Sequence, residues 1–196
     1  MTIAVINSGG ANLGSVVHAL NRLGAESVLT RSADDIRAAE RVILPGVGAA
    51  AWAMNALREA GLVEVIRELT QPVLGICLGL QLLFDNSAEG DAACLGLIPG
   101  TVQSLEVNAG QRLPHMGWNQ LQWTDPDDPL AQGLSGEEWF YFVHSFAAPV
   151  EHAVATSEHG QTFAAVVRRA NFAACQFHPE KSAAAGARLL HNFLTA

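Results

Sequence analysis

Three residues of this sequence could carry covalent chemistry together: Cys77, His178 and Glu180. Cys77 lies in Gly75-Ile76-Cys77-Leu78-Gly79, a Gly-x-Cys-x-Gly counterpart of the Gly-x-Ser-x-Gly nucleophile elbow. Such an elbow is a tight turn from strand to helix. It strains its central residue and needs flanking positions without Cβ atoms, so that strand and helix can approach each other. The turn would lift the sulfur out of a sheet. It would also leave the backbone N–H of Leu78 at a helix N-terminus, placed to favour thiolate and to receive an oxyanion. The plainer alternative is a structural glycine turn around a buried thiol, free cysteine being among the most buried residue types.

His178 follows an apolar stretch and precedes Pro179 and Glu180. A thiol nucleophile needs a base within hydrogen-bond reach, and that base needs an acceptor to fix its tautomer. Cys77, His178 and Glu180 fill those roles in order. A histidine at a strand end is on its own more often just hydrogen-bonded, and the elbow cysteine is what changes that reading. No His-x3-His or Cys-x2-Cys partner accompanies His178, so no metal site is expected. The segment Pro45-Gly46-Val47-Gly48 ends another apolar run. A glycine-flanked backbone there could turn a second N–H toward an oxyanion, with Val47 as the candidate donor beside Leu78. An ordinary glycine turn is the alternative. The spacing fits neither Gly-x-Gly-x-x-Gly nor a P-loop, which argues against a nucleotide site.

The elements that would position these residues read as α/β. Residues 3–6 form a first strand, ending in the polar loop 7–12. Leu13, Val16, Val17, Leu20 and Leu23 then recur at helical spacing, with Gly24 as the stop. Residues 28–29 form a short strand, and Ser32 is a good N-cap for a helix over 33–40, with Asp34 and Asp35 in its first turn. Residues 42–44 are another buried strand, 49–59 and 62–69 are helical with a break at Gly61, and 73–76 form the elbow strand. The helix after the elbow is expected to carry Leu78, Gln81, Leu82 and Phe84. That alternation implies a doubly wound, mostly parallel sheet covered by helices. Beyond residue 100 short strands dominate, at 102–107, 118–123, 139–146, 154–157, 163–168 and 172–177, with a hairpin turn at Asn171. Residues 125–129 read as a surface loop, and a last helix is expected to be capped by Ser182. The sequence thus reads as one domain over 1–196, a parallel core with additional antiparallel strands. In open sheets of this kind, sites lie at the carboxyl ends of strands, where all these candidates fall.

Composition narrows the partners. Apolar residues make up 49% and charged residues 15% of the 196, which is globular rather than disordered. The net charge of −8 and the lack of a basic cluster argue against nucleic acid and anionic membrane surfaces. Three cysteines at 77, 94 and 175 suit neither a disulfide framework nor a zinc knuckle, so a reducing cytoplasm is expected. The N-terminus reads as a strand rather than a signal peptide, and no apolar run approaches the ~20 residues of a membrane span.

Taken together, the segments 75–81 and Gln176-Phe177-His178-Pro179-Glu180 resemble the triad (class I) glutamine amidotransferases. Pro114-His115-Met116-Gly117-Trp118-Asn119, Phe140-Tyr141-Phe142-Val143-His144-Ser145 and Lys181-Ser182 are similar to segments of the glutaminase subunits of imidazole glycerol phosphate synthases. The resemblance spans essentially the whole chain. It implies hydrolysis of glutamine by a Cys77–His178–Glu180 triad without a cofactor, and oxyanion donors at Val47 and Leu78. It also implies substrate contacts at Gly48, Gln81 and Ser145. It further implies a heterodimer with a (β/α)8 synthase subunit that receives the ammonia, with Asn12, Trp118, Asn119 and Lys181 in segments facing that partner. Phe146 departs from the pattern, standing where a tyrosine is often found. Other readings stay open at this point: the glutaminase of pyridoxal phosphate or anthranilate synthase, a free-standing γ-glutamyl hydrolase or cysteine peptidase, or a catalytically silent interaction module.

Overall fold

The computed structural model describes residues 2–9 and 13–196; Asn12, one of the expected interface residues, lies outside the described residues. The first half alternates strand and helix, as its apolar periodicity demands. Strand β1 (Thr2–Ile6) leads to α1 (Leu13–Arg22), β2 (Glu26–Thr30), α2 (Ala33–Ala38) and β3 (Arg41–Gly46). Then come α3 (Ala50–Glu59), α4 (Leu62–Arg67), β4 (Val73–Cys77) and α5 (Leu78–Leu82). The second half is built of β5 (Phe84–Ser87), β6 (Ala92–Ala93), β7 (Ile98–Ser104), β8 (His115–Gln120), β9 (Gln122–Trp123), β10 (Trp139–His144) and β11 (Phe146–Ala147). It closes with β12 (Ala153–His159), β13 (Gln161–Arg169), β14 (Phe172–Cys175) and α6 (Ala183–Thr195).

The main sheet has the order β2-β1-β3-β4-β14-β13-β12-β9. Its strands are parallel from β2 to β14 and antiparallel from there to β9. Alternating side chains feed two cores. Ala4, Ile6, Val42, Leu44 and Val73 face α2, α3 and α4, while Ile3, Val5, Ile43, Leu74 and Ile76 face α1 and α6. Both faces are therefore covered, which is why the central strands are almost wholly apolar. A separate ribbon, β8 against β10, and a small sheet, β11-β7-β5-β6, complete the molecule.

Three expectations need correction. The helix after the elbow stops at Leu82, and Phe84 opens β5, pairing with Ile98. Leu78 to Phe84 is buried on every side, so its apolar period could not mark where helix became strand. Ser182 sits at the N-cap of α6 but makes no side-chain cap bond, because its hydroxyl is used elsewhere. Within the expected surface loop, Asp128 is buried and pairs with Arg168 at 2.5 Å. Ser32, by contrast, caps α2 as its position suggests, accepting the Asp35 N–H.

Candidate active site

The elbow is set by close packing. Cys77 holds φ 54° and ψ −109°, a strained backbone for a residue with a side chain, at the exit of β4. β3 lies beside β4 in parallel register, with Gly46 opposite Cys77. A Cβ at Gly79 would land on the Leu44 carbonyl oxygen. One at Gly75 would meet the Gly79 carbonyl oxygen at 2.8 Å and Ala174 at 2.9 Å, and one at Gly46 would meet Leu78 at 2.9 Å. Three glycines thus let α5 lie directly on the ends of three strands, the physical reason for their spacing.

On the far side, β14 pairs in parallel with β4 and brings residues 176–180 over the elbow. The His178 N–H donates to the Tyr141 carbonyl at 2.9 Å. Ser182 Oγ donates to the His178 carbonyl at 2.6 Å and accepts the Tyr141 N–H at 2.9 Å. This hydroxyl fastens the histidine to β10 instead of capping α6. The His178 Nδ1 faces Glu180 Oε1 at 2.8 Å, and both side chains are almost fully buried. The imidazole shares the cavity wall with Cys77, near enough for the thiol to act on its protonation. Burial by itself would pull the His178 pKa down. Hydrogen bonds and negative charge from Cys77 and Glu180 outweigh it and push the pKa up to about 10.

These groups open into a cavity of about 230 Å³. It is lined by Val47 and Gly48 after β3, by Cys77, Leu78 and Gln81, by Glu89, by residues 143–146, and by His178. The structure therefore brings the expected triad, both expected oxyanion residues and all three expected substrate residues to one place. Gln81 has limited freedom there. Its Nε2 donates to the Phe146 carbonyl at 2.8 Å and to Gln176 Oε1 at 3.1 Å, so Oε1 is what it can offer a ligand. Gln176 in turn points Nε2 at Cys77 Sγ, 3.8 Å away. Phe146 contributes its backbone carbonyl here, a group the exchange with tyrosine leaves unchanged.

Two features in or beside the cavity were not picked out from the residues themselves. Glu89 follows β5 and its Oε2 accepts the Ala50 N–H at 2.9 Å, where the N-terminus of α3 favours negative charge. A lone acid in a loop gives no signal in the sequence. His115 and His144 face each other across the β8–β10 ribbon, and only their place in the resemblance marked them.

The expected interface residues lie apart from the cavity. On the ribbon's outer face Trp118 is 50% exposed, Met116 63% and Trp139 53%, so core packing is not the role of Trp118. Trp118 and Tyr141 make a T-shaped contact, centroids 5.9 Å apart. Lys181 is exposed, whereas Asn119 turns inward and donates to the Glu158 carbonyl at 2.8 Å. Among the described residues no helix is long and apolar enough to cross a membrane.

Comparison with known proteins agrees with this geometry. A family model described as glutamine amidotransferase class-I matches residues 4–196. The chain is 54% identical over 193 residues to imidazole glycerol phosphate synthase subunit HisH of Xanthomonas axonopodis pv. citri, covering 98% of this chain and 96% of that protein. It is 50% identical over 194 residues to subunit HisH 2 of Legionella pneumophila (strain Paris), covering 98% and 97%. A crystal structure of a glutamine amidotransferase superposes with a TM-score of 0.74 at 23% identity, covering 98% of this chain and 96% of that one. These relatives favour the imidazole glycerol phosphate synthase reading over the pyridoxal phosphate and anthranilate alternatives. The chain belongs to the class-I glutamine amidotransferases, among the HisH-type subunits of imidazole glycerol phosphate synthase.

Proposed function

We propose that the chain, acting as one glutamine amidotransferase domain, hydrolyses glutamine with Cys77 as nucleophile. The observation that carries this is the strained Cys77 at a strand exit, sharing its cavity with a His178 that Glu180 orients. Cys77 attacks the side-chain carboxamide carbon as the thiolate paired with imidazolium His178. The backbone N–H groups of Leu78 and Val47 receive the tetrahedral oxyanion. Imidazolium His178 protonates the departing ammonia, leaving a γ-glutamyl thioester, and then takes a proton from the water that cleaves it to glutamate. Glu180 accepts from Nδ1 throughout, holding Nε2 toward the sulfur. Ser145 and Gln81 Oε1 hold the substrate, and Glu89 supplies the negative charge that suits its α-ammonium group.

The ammonia passes to a (β/α)8 synthase subunit, which forms imidazole glycerol phosphate and an aminoimidazole carboxamide ribonucleotide. Transfer must be sheltered, since ammonia in neutral water becomes ammonium and loses its nucleophilic lone pair. The exposed aromatic face of Trp118 and Trp139, with Lys181, supports docking of that subunit beside the cavity. Tyr141 links the two, its ring in a T-shaped contact with Trp118 and its carbonyl accepting the His178 N–H. The test is glutamine turnover of the purified chain with and without its synthase subunit. Turnover that depends on the subunit and vanishes in Cys77→Ala is expected; a Cys77→Ala protein as active as wild type overturns the reading.

A further inference from the structure

We propose that His115 and His144 are positioning residues, a neutral imidazole pair of fixed tautomer that ties Asn119 on the ribbon to the wall of the Cys77 cavity. The identity of that cavity rests on the glutaminase reading above; the relay is defined by atoms alone.

The direction of every bond follows from one fixed point. The Phe146 carbonyl can only accept, and His144 Nδ1 lies 2.9 Å from it, so Nδ1 carries the hydrogen. In a neutral ring, Nε2 is then an acceptor. His115 Nδ1 stands 2.9 Å from that Nε2 and must donate to it. His115 Nε2 is thereby an acceptor too, and Asn119 Nδ2 faces it at 3.4 Å. The other tautomer of either ring would set two donors and two acceptors against each other in a buried place.

Both rings are neutral in the folded protein. Burial, joined by the neighbouring His159, pushes the His115 pKa down to about 4. His144 falls to about 3, chiefly through burial and further through the charges of His115, His159 and His178, against the opposing Phe146 bond. Packing fixes the ring planes as well. His115 is stacked on Phe142 at 4.9 Å and on His159 at 4.3 Å. A phenylalanine could fill such a slot without the cost of burying polar nitrogens, so the pair is better explained by orientation than by packing.

What the pair orients is the site. The Phe146 carbonyl that ends the relay is the one that accepts Gln81 Nε2. That bond selects the amide orientation of Gln81, which selects that of Gln176, which aims an N–H at the Cys77 sulfur. Hydrogen bonds thus run without a gap from Asn119, whose neighbour Trp118 faces outward, to the nucleophile. Such continuity becomes coupling only if changing one end moves the other.

Imidazole nitrogen NMR of the wild-type protein tests the relay whether or not it turns over glutamine. Both histidines are expected as neutral Nδ1–H tautomers at pH 7, the minority form of a free side chain; an Nε2–H signal from either overturns the proposal. Kinetics with the synthase subunit present supply the second arm. His115→Phe keeps the ring stack but breaks the relay, and kcat/KM for glutamine should fall about tenfold, with a modest drop in melting temperature from the buried His144 Nε2 left without its donor. His115→Asn, which can restore a donor at the Nδ1 position, should recover most of it. A His115→Phe enzyme equal to wild type, or no recovery in His115→Asn, overturns the positioning role. A wild type that hydrolyses no glutamine would instead overturn the glutaminase reading, with the tautomers still deciding the relay.

Discussion

Gly79 of α5 lies directly against the Leu44 carbonyl of β3, with no room between them for a methyl group. Since backbone rather than a flexible side chain occupies that space, neither partner can give way cheaply. Gly79→Ala should destabilise the protein by about 3 kcal/mol, the upper end of the range for overpacking a core, and displace the elbow. Urea unfolding checks the stability. A variant as stable as wild type would show that the elbow can relax without its glycine.

The raised pKa of His178 has a sign that can be measured. Its folded value, about 10, lies above the ordinary 6.5, so its contribution to stability is fully present below about pH 6.5 and fades as pH rises through 10. Glu180→Gln removes one of the charges that raise it. The expected outcome is a shallower loss of unfolding free energy between pH 7 and pH 10 in Glu180→Gln than in wild type. Equal slopes would mean that Glu180 does not hold the imidazolium.

Ser182 gives a third outcome. Its hydroxyl bonds the His178 carbonyl and the Tyr141 N–H, joining the base to the ribbon. Ser182→Ala should cost about 2 kcal/mol for two lost bonds of about 1 kcal/mol each. It should also lower kcat more than it raises KM, since what moves is the base. Unchanged kcat in a destabilised protein would restrict Ser182 to a role in stability.

Particular residues show what the sequence could disclose. The elbow was legible because only glycine tolerates the approach of α5 to three strand ends, and the demand recurs at fixed spacing in Gly75 and Gly79. His178 and Glu180 were legible because local sequence, through Pro179, sets their spacing. Glu89 was not, because its role depends on a return of the chain that brings it to Ala50, 39 residues away. The end of α5 was hidden for a different reason: full burial removes the polar face that would mark a period. Ser182 carried a true signal with the wrong meaning, since an N-cap position offers a hydroxyl to whichever backbone group lies nearest.

The central claim is that the Cys77 sulfur is activated by His178, and a glutamine-analogue electrophile tests it most directly. With the synthase subunit bound, peptide mass spectrometry should find one adduct per chain, on Cys77, with the buried Cys94 and Cys175 unmodified. His178→Ala should slow that labelling by about a hundredfold, the lower end of what a positioned base contributes. An adduct on any other residue, or labelling of His178→Ala at the wild-type rate, would contradict the account.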